Sequence, residues 1–374
     1  MNSRPWPLLL MTRELAYGGT ERQLTEIAKS LDPERFRAHV GCFRPEVAFG
    51  PELRAAGVPI VQFPLRSLKS PQVFHTARLI GGYIRSQDIR VVHTFDVPTA
   101  LLAVFAARFF GAPIVLSSQR AHRDLTPGVF RHVLRLADRT VDGIVVNCEA
   151  MRRHLREDEG VPGSLIHLCY NSIDTQRFRP GPRWRPPGLE SASLVIGTLC
   201  VLRPEKSLPV LLEAFARVRT FRPGLKLLIV GSGPVLPELV ERARALGIHE
   251  DCVFQPAVPD VPHWLHALDL YVLPSRSEAL SNSLMEAMAT GRCVVASRVG
   301  GNPELVLHGQ TGLLFEPDDA AGLTATLDRL IQDASLRDTL ARAATHFISE
   351  NFSRRAMIAR MENIYTHYLV PGTL

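Results

Sequence analysis

"LYVLPSRSEALSNSLMEAMATGRCVVASR", residues 270 to 298, contains one complete unit of the pattern that runs through the chain. LYVLPS (270–275) is a short apolar run with a proline near its end, which reads as a buried strand. The chain then turns through Arg276 to Ser281 and enters a helix running to about Thr290, with Gly291 placed to take the left-handed conformation that ends it. CVVASR (293–298) is the next strand. A strand, loop, helix and strand in so short a span specify two parallel strands joined by a crossover helix.

Outward from this unit the alternation continues. Earlier candidate strands are LLLMT (8–12), AHVGCF (38–43), IVQFP (60–64), RVVHT (90–94), PIVLSS (113–118), GIVVN (143–147) and LIHLCY (165–170), separated by amphipathic stretches such as GTERQLTEIAKSL. RPGPRWRPPGLE (179–190) then interrupts the pattern, because its prolines fix φ and remove backbone donors. It reads as an interdomain linker. The alternation restarts with LVIGTLCV (194–201), LKLLIVG (225–231) and CVFQP (252–256), and closes with GLLFE (312–316). The expectation is an α/β protein of two doubly wound domains, 1–180 and 190–352, facing across a cleft, with a last helix of about 353–374 packing back on the first. Ligands in such sheets bind at the carboxyl ends of the strands.

Composition narrows the function classes. With 374 residues, 46% hydrophobic and 21% charged, the chain can bury two cores and is not disordered. Six scattered cysteines fit reduced thiols in cytosol rather than a disulfide framework or a zinc site. The apolar run Leu8 to Met11 is too brief for a secretory signal, and Val97 to Leu116 is broken by Arg108 and GAP (111–113), so a helix and a strand explain it better than a membrane span. The net charge of +6 comes from the first half: residues 1–180 carry 24 Lys+Arg against 17 Asp+Glu, and the remainder 19 against 20. A basic half can attract anionic lipid or an anionic acceptor, or can reflect arginine-rich composition alone. Its basic residues alternate with aliphatic rather than aromatic ones, so nucleic acid is not an expected partner.

The loops after the strands hold the candidate chemistry. Gly231 and Gly233 follow LKLLIV, where backbone without side chains can approach a ligand, although a plain turn reads the same way. Gly18 and Gly19 open a helix whose amides could meet a phosphate; the plainer reading is a tight turn with Thr20 as N-cap. VLRPEKS supplies Arg203 and Lys206, two cations suited to a diphosphate that gains charge as a bond to it breaks, or a solvated loop. Glu278 lies in a loop where no capping role is evident, while Ser283 with Glu286 fits a capping box. His93 in VVHTFD ends a strand and reads either as a packed residue or as a ligand contact; His75 and His308 have no support beyond their type.

The run SEALSNSLMEAMATGRCVVASRVGGNPELVLHGQTGLLFEPDD, with GGTERQ, VVHTFD, YNSID, LRPEK and LIVGSGP ahead of it in order, resembles the retaining nucleotide-sugar glycosyltransferases of family four, or group 1, which have the GT-B fold of two Rossmann-like domains. The resemblance implies that Glu286 binds the ribose hydroxyls of the nucleotide and Glu278 the transferred sugar. It implies that Ala279, Leu280, Ser281, Asn282, Ser283 and Leu284 present backbone to the donor, and that Lys206 neutralises the diphosphate. Gly18 and Gly19 would approach donor or acceptor, and the base would lie near VFQP. No metal and no cofactor are expected, because cations and helix amides replace them. Two departures stand out. Many relatives have arginine where this chain has Val201, which weakens the assignment of Arg203; and a histidine that many members aim at the sugar is replaced by Arg120, with His122 two residues on.

The resulting expectation is a cytoplasmic enzyme moving a hexose or N-acetylhexosamine to a hydroxyl with retention. A helical separation of eight residues is roughly 12 Å of rise, whereas retaining hydrolases hold two carboxyl groups about 5 Å apart, so Glu278 and Glu286 read as ligand holders rather than a catalytic pair. LRSLKSPQVFHTARLIGGYIRSQ (65–87) interleaves Arg66, Lys69, Arg78 and Arg85 with apolar residues, as an interfacial helix does. Peripheral contact with an anionic membrane, on the inner face of the plasma membrane, and a saccharide or lipid-linked saccharide acceptor follow as expectations, with a role in polysaccharide or glycolipid synthesis. The rivals are a GT-B nucleotide-sugar 2-epimerase and a non-catalytic scaffold or carbohydrate-binding homologue.

Overall fold

The computed structural model describes residues 4–16, 18–44 and 48–370. Two compact units account for the chain: residues 1–172 with 354–374, and residues 173–353.

The first unit is built on a seven-stranded parallel sheet of β1 (Trp6–Thr12), β2 (Phe36–Cys42), β3 (Ile60–Gln62), β4 (Val91–Thr94), β5 (Ile114–Gln119), β6 (Gly143–Val146) and β7 (Ile166–Leu168), in spatial order 3-2-1-4-5-6-7. Order reverses between β1 and β4, where Leu8 pairs with Val91 and Met11 with Thr94. Strands of this kind are covered on both faces, so β4 and β6 are buried at every position. Helix Arg354–Leu369 returns to this unit: Met357, Ile358, Met361, Ile364 and Tyr365, spaced to share one helical face, join the core of Leu8, Leu10, Val91 and Leu116. Arg354 Nε lies 2.6 Å from Glu26 Oε2, and Glu362 Oε1 accepts a hydrogen bond from Asp32 N at 2.8 Å, so its docking is polar as well as apolar.

The second unit repeats the plan with six parallel strands, β8 (Leu194–Leu199), β9 (Leu225–Val230), β10 (Cys252–Gln255), β11 (Leu270–Leu273), β12 (Cys293–Ser297) and β13 (Leu313–Phe315), ordered 10-9-8-11-12-13. The stretch 270–298 forms β11, helix Asn282–Ala289 and β12, with Leu270 opposite Cys293 in parallel register. Gly291, at φ +75°, follows the helix in the left-handed conformation that side chains resist.

The changeover between units at 172/173 precedes the proline-rich segment 179–190, which is docked on the second unit rather than free. Arg185 donates to Asp269 Oδ2 at 2.6 Å, Trp184 stacks on His263 at 3.8 Å, and Leu189 is fully buried. Proline removed its secondary structure but not its packing. No helix among the described residues is long and apolar enough to cross a membrane.

Candidate functional site

In the second unit, the carboxyl ends of β8, β9 and β11 send out three loops that are tied to one another. After β8, Arg203–Ser207 form a single 3-10 turn ending at Lys206, made possible by Ser207 at φ +48°. Arg276 N of the loop after β11 donates to Glu205 O at 2.8 Å, and Asp318 Oδ1 accepts from both Ser207 Oγ (3.0 Å) and Arg276 Nε (2.7 Å). Held this way, Lys206 Nζ meets Glu278 Oε1 at 2.6 Å, and the same oxygen accepts from Ser275 Oγ at 2.7 Å. The two side chains are 17% and 10% exposed, enough for a ligand to reach them and little enough for strong electrostatics. Burial pushes the Lys206 ammonium down, but the Glu278 carboxylate beside it outweighs that and holds its pKa above the ordinary value, so the cation persists.

Glu278 is followed by Ala279, Leu280 and Ser281, all buried, and then by the helix. The expected cap is corrected here: Ser281, not Ser283, caps the helix, accepting from Leu284 N at 3.3 Å. Ser283 Oγ instead accepts from the buried Tyr271 hydroxyl at 2.8 Å, so no capping box forms around Glu286. Glu286 sits one turn into the helix and is 5% exposed. Asn282 and Ser283, at the helix start, are partly exposed, and Leu284 is buried. Beneath the loop passes Gly300, at φ +49°, whose absent Cβ would lie 1.8 Å from Glu278 O. Gly301 N donates to Ala279 O at 2.7 Å. Gly300, Ser275 and Asp318 were not singled out from sequence, since nothing local marks a glycine or hydroxyl as the support of a residue far along the chain.

Gly231 and Gly233 use their lack of side chains inside the molecule: a Cβ would come within 1.9 Å of Cys200 O and 2.1 Å of Leu202 O. They let the loop after β9 lie against the loop that carries Lys206. The VFQP segment adjoins them, with Gly231 N on Gln255 O at 2.8 Å. Arg203 stands apart from the Lys206–Glu278 pair, its side chain 60% exposed and 4.0 Å from Glu205. Val201, beside it, is also exposed.

In the first unit, Gly18 is the N-cap of helix Gly19–Ser30, with Thr20 inside the helix, contrary to the plainer expectation of a Thr20 cap. A Cβ on Gly18 would fall 2.1 Å from Glu21 Oε2, so the carboxylate of Glu21 folds back over the helix start. Burial pushes Glu21 up to about 7, and the neighbouring carboxylates of Asp96 and Glu14 push the same way. Asp96 of VVHTFD caps helix Val97–Phe109 through Thr99 N and also accepts from Arg13 N at 2.6 Å. His93 is fully buried, with Nδ1 on the Tyr365 hydroxyl and Nε2 on Ser118 Oγ, both at 2.9 Å. This corrects the expected ligand contact: both ring nitrogens have protein partners, and the residue is packed. Arg120 follows β5 and donates from Nη1 to Asn171 Oδ1 at 2.7 Å. His122 points elsewhere, stacking on His154 at 3.7 Å.

Comparison with known proteins agrees with these two halves. Residues 17–177 match the model of Glycosyltransferase Family 4, and residues 193–333 that of Glycosyl transferases group 1. The chain is 31% identical over 304 residues to the GDP-mannose-dependent alpha-(1-6)-phosphatidylinositol monomannoside mannosyltransferase of Mycolicibacterium smegmatis, covering 77% of this chain and 78% of that one. It is 27% identical over 286 residues to N-acetyl-alpha-D-glucosaminyl L-malate synthase of Bacillus anthracis, covering 74% of each. Among solved structures, Anabaena HepE in complex with UDP-glucose superimposes with a TM-score of 0.82 at 23% identity, covering 96% of this chain and 99% of that one.

Proposed function

The chain belongs to the group 1, family-four glycosyltransferases and has their GT-B fold, and from that premise we propose that it moves a hexose or N-acetylhexosamine from a nucleoside diphosphate sugar to a hydroxyl with retention. The observation that carries the reading is the pairing of Lys206 with Glu278 beside the start of helix Asn282–Ala289. A cation, a carboxylate and the positive end of a helix together suit a substrate that is anionic at one end and hydroxylated at the other.

In this reading Lys206 stabilises the charge that gathers on the departing diphosphate, and the amides around Ala279 to Leu284 share it. Glu278 holds hydroxyls of the transferred sugar and orients Lys206; Glu286 holds the ribose. Arg203, exposed on the same loop, makes a weaker contribution from the rim. Gly231 and Gly233 hold the loop after β9 against the loop that carries Lys206, while Gly18 and Gly19 open the first-unit helix with backbone that a substrate can approach. The bond from the anomeric carbon to the diphosphate oxygen breaks as the bond to the acceptor oxygen forms on the same face, and the acceptor's proton passes to the diphosphate. No protein nucleophile and no metal are required, since Lys206 and peptide dipoles supply the positive field.

The acceptor is a saccharide head, and a lipid-linked one at an anionic membrane surface fits best, as in glycolipid or cell-surface polysaccharide synthesis on the cytoplasmic face. Helix Gln72–Ser86 supports this: Phe74 and Leu79 are exposed alongside Arg78 and Arg85, with Arg66 and Lys69 exposed just ahead. The mannosyltransferase relative is named for a phosphatidylinositol mannoside acceptor, which points the same way.

Thermal-shift titration with UDP, GDP and their sugars tests the proposal. A donor at about a hundred times its Kd adds ~2.7 kcal/mol of stability. Absence of any nucleotide effect sinks the reading; consumption of UDP-N-acetylglucosamine without an acceptor turns it into a 2-epimerase.

A further inference from the structure

Two arginines of the first unit, Arg123 fully buried and Arg120 partly buried, are treated in opposite ways. Arg123, 1% exposed, lies 2.6 Å from Asp138 and 3.4 Å from Glu159, so its charge is balanced within the protein. Arg120, three residues earlier, has no such balance. Its guanidinium lies over the Phe95 ring at 5.1 Å and bonds the neutral Asn171 amide through Nη1, while its Nε, like that of Arg123, is buried without an acceptor. Among the described residues no carboxylate pairs with it.

The groups around Arg120 cannot serve as a counter-ion. Cys169 and Tyr365, the titratable neighbours that would favour its charge if ionised, are both neutral near pH 7: burial pushes the thiol up to about 11 and the phenol far above its usual range. His93 is held neutral, its pKa pushed well down by burial and by the Arg120 charge. Burial lowers Arg120 itself to about 10, which leaves it a cation under ordinary conditions. A partly buried cation with no anion of its own loses hydration without gaining a counter-charge, and the exposed part of Arg120 leaves it open to an anion from outside. Its place, directly after β5 at the carboxyl edge of a parallel sheet, is where such folds receive ligands. The planar guanidinium fork matches phosphate and carboxylate oxygens.

We propose that Arg120 is the counter-charge for a phosphate or carboxylate borne by the acceptor, so that the enzyme glycosylates an anionic sugar or polyol head in preference to a neutral one. This rests on the glycosyltransfer reading and narrows its acceptor class. The donor's diphosphate is assigned to Lys206 in the other unit, so the two anions are separable by experiment.

The test uses matched pairs, inositol with inositol 1-phosphate and glucose with glucose 6-phosphate, titrated by calorimetry at constant ionic strength into the full chain saturated with UDP or GDP. The phosphorylated member of at least one pair should bind about tenfold or more tightly than its neutral partner. Arg120→Gln should bring that ratio close to one while leaving nucleotide binding unchanged. Asn171→Asp, which places a carboxylate against Nη1, should also erase the preference and should raise the thermal midpoint of the ligand-free protein, so a folding failure of Arg120→Gln does not block the test. Wild type that binds both members alike, or binds neither while binding nucleotide, overturns the proposal, as does a preference that survives both substitutions. Protein that takes the phosphorylated probe but no nucleotide keeps the anion site and removes the glycosyltransfer reading instead.

Discussion

Lys206 and Glu278, 72 positions apart in the chain, meet at 2.6 Å and join the loop after β8 to the loop after β11. Because Glu278 Oε1 also accepts from Ser275, the carboxylate is oriented before any substrate arrives. Lys206→Ala and Glu278→Ala should each lower kcat/KM by roughly 10²- to 10³-fold, the range for removing one preorganised charge contact. Groups acting as a unit are not additive, so the double variant should lose far less than the product of the two. Steady-state kinetics on the four proteins decides it, and full additivity would mean the pair does not act together.

Gly300→Ala probes the support under that pair. Its φ of +49° and the 1.8 Å approach to Glu278 O leave no room for a methyl group. The left-handed backbone alone costs alanine roughly 1–2 kcal/mol, and the Glu278 loop must shift as well. A drop in thermal midpoint accompanied by at least a tenfold loss of kcat is expected; unchanged kcat would show that the loop position is not critical.

Glu286→Gln keeps the shape of a side chain that is 5% exposed and removes its charge. If Glu286 holds the ribose, UDP or GDP affinity should fall about tenfold, equivalent to ~1.4 kcal/mol. Calorimetric Kd values with ribose and deoxyribose nucleotides check this, because the variant should no longer distinguish them.

Chelation separates cation chemistry by lysine from cation chemistry by metal. With Lys206 and the amides at the start of helix Asn282–Ala289 supplying the positive field, activity should be unchanged after exhaustive dialysis against EDTA. Loss of activity restored by magnesium or manganese would require a different site.

Glu21 should make stability depend on pH in an unusual direction. Its carboxyl titrates near 7 in the folded protein against an ordinary 4.5. Between those values the folded state keeps a proton that the unfolded state has lost, so stability falls as pH rises from about 4.5 to about 7. Over the roughly 2.5 pH units between the two values the loss has a ceiling of about 3.4 kcal/mol, since each pH unit contributes 1.36 kcal/mol. Glu21→Gln should remove this slope in denaturant titrations at pH 5, 6 and 7. An identical slope in wild type and variant would place the effect elsewhere.

The strands were legible from residue order because parallel strands buried on both faces must be continuous apolar runs. Each of the thirteen runs read from sequence overlaps an observed strand, as LKLLIVG at 225–231 does with Leu225–Val230. The packing of residues 179–190 was not legible, because prolines announce the end of regular structure and say nothing of what Trp184 and Arg185 then touch. The helix cap was misread for a related reason: Ser281 and Ser283 are chemically alike, and only the position of Tyr271 decides which hydroxyl is left to cap.

By itself the order of residues determined two parallel α/β sheets, the loops at their carboxyl edges, and which charged residues those loops carry, since periodicity, proline and glycine act locally. Tertiary structure alone decided which charges find partners. Lys206 meets Glu278 only once β8 and β11 lie side by side, His93 is used up by Ser118 and by Tyr365 from a helix 272 residues away, and Arg120 is left with an amide where Arg123 has carboxylates. Coulomb attraction and desolvation depend on distance in space, and residue order does not contain that distance until the sheets have formed.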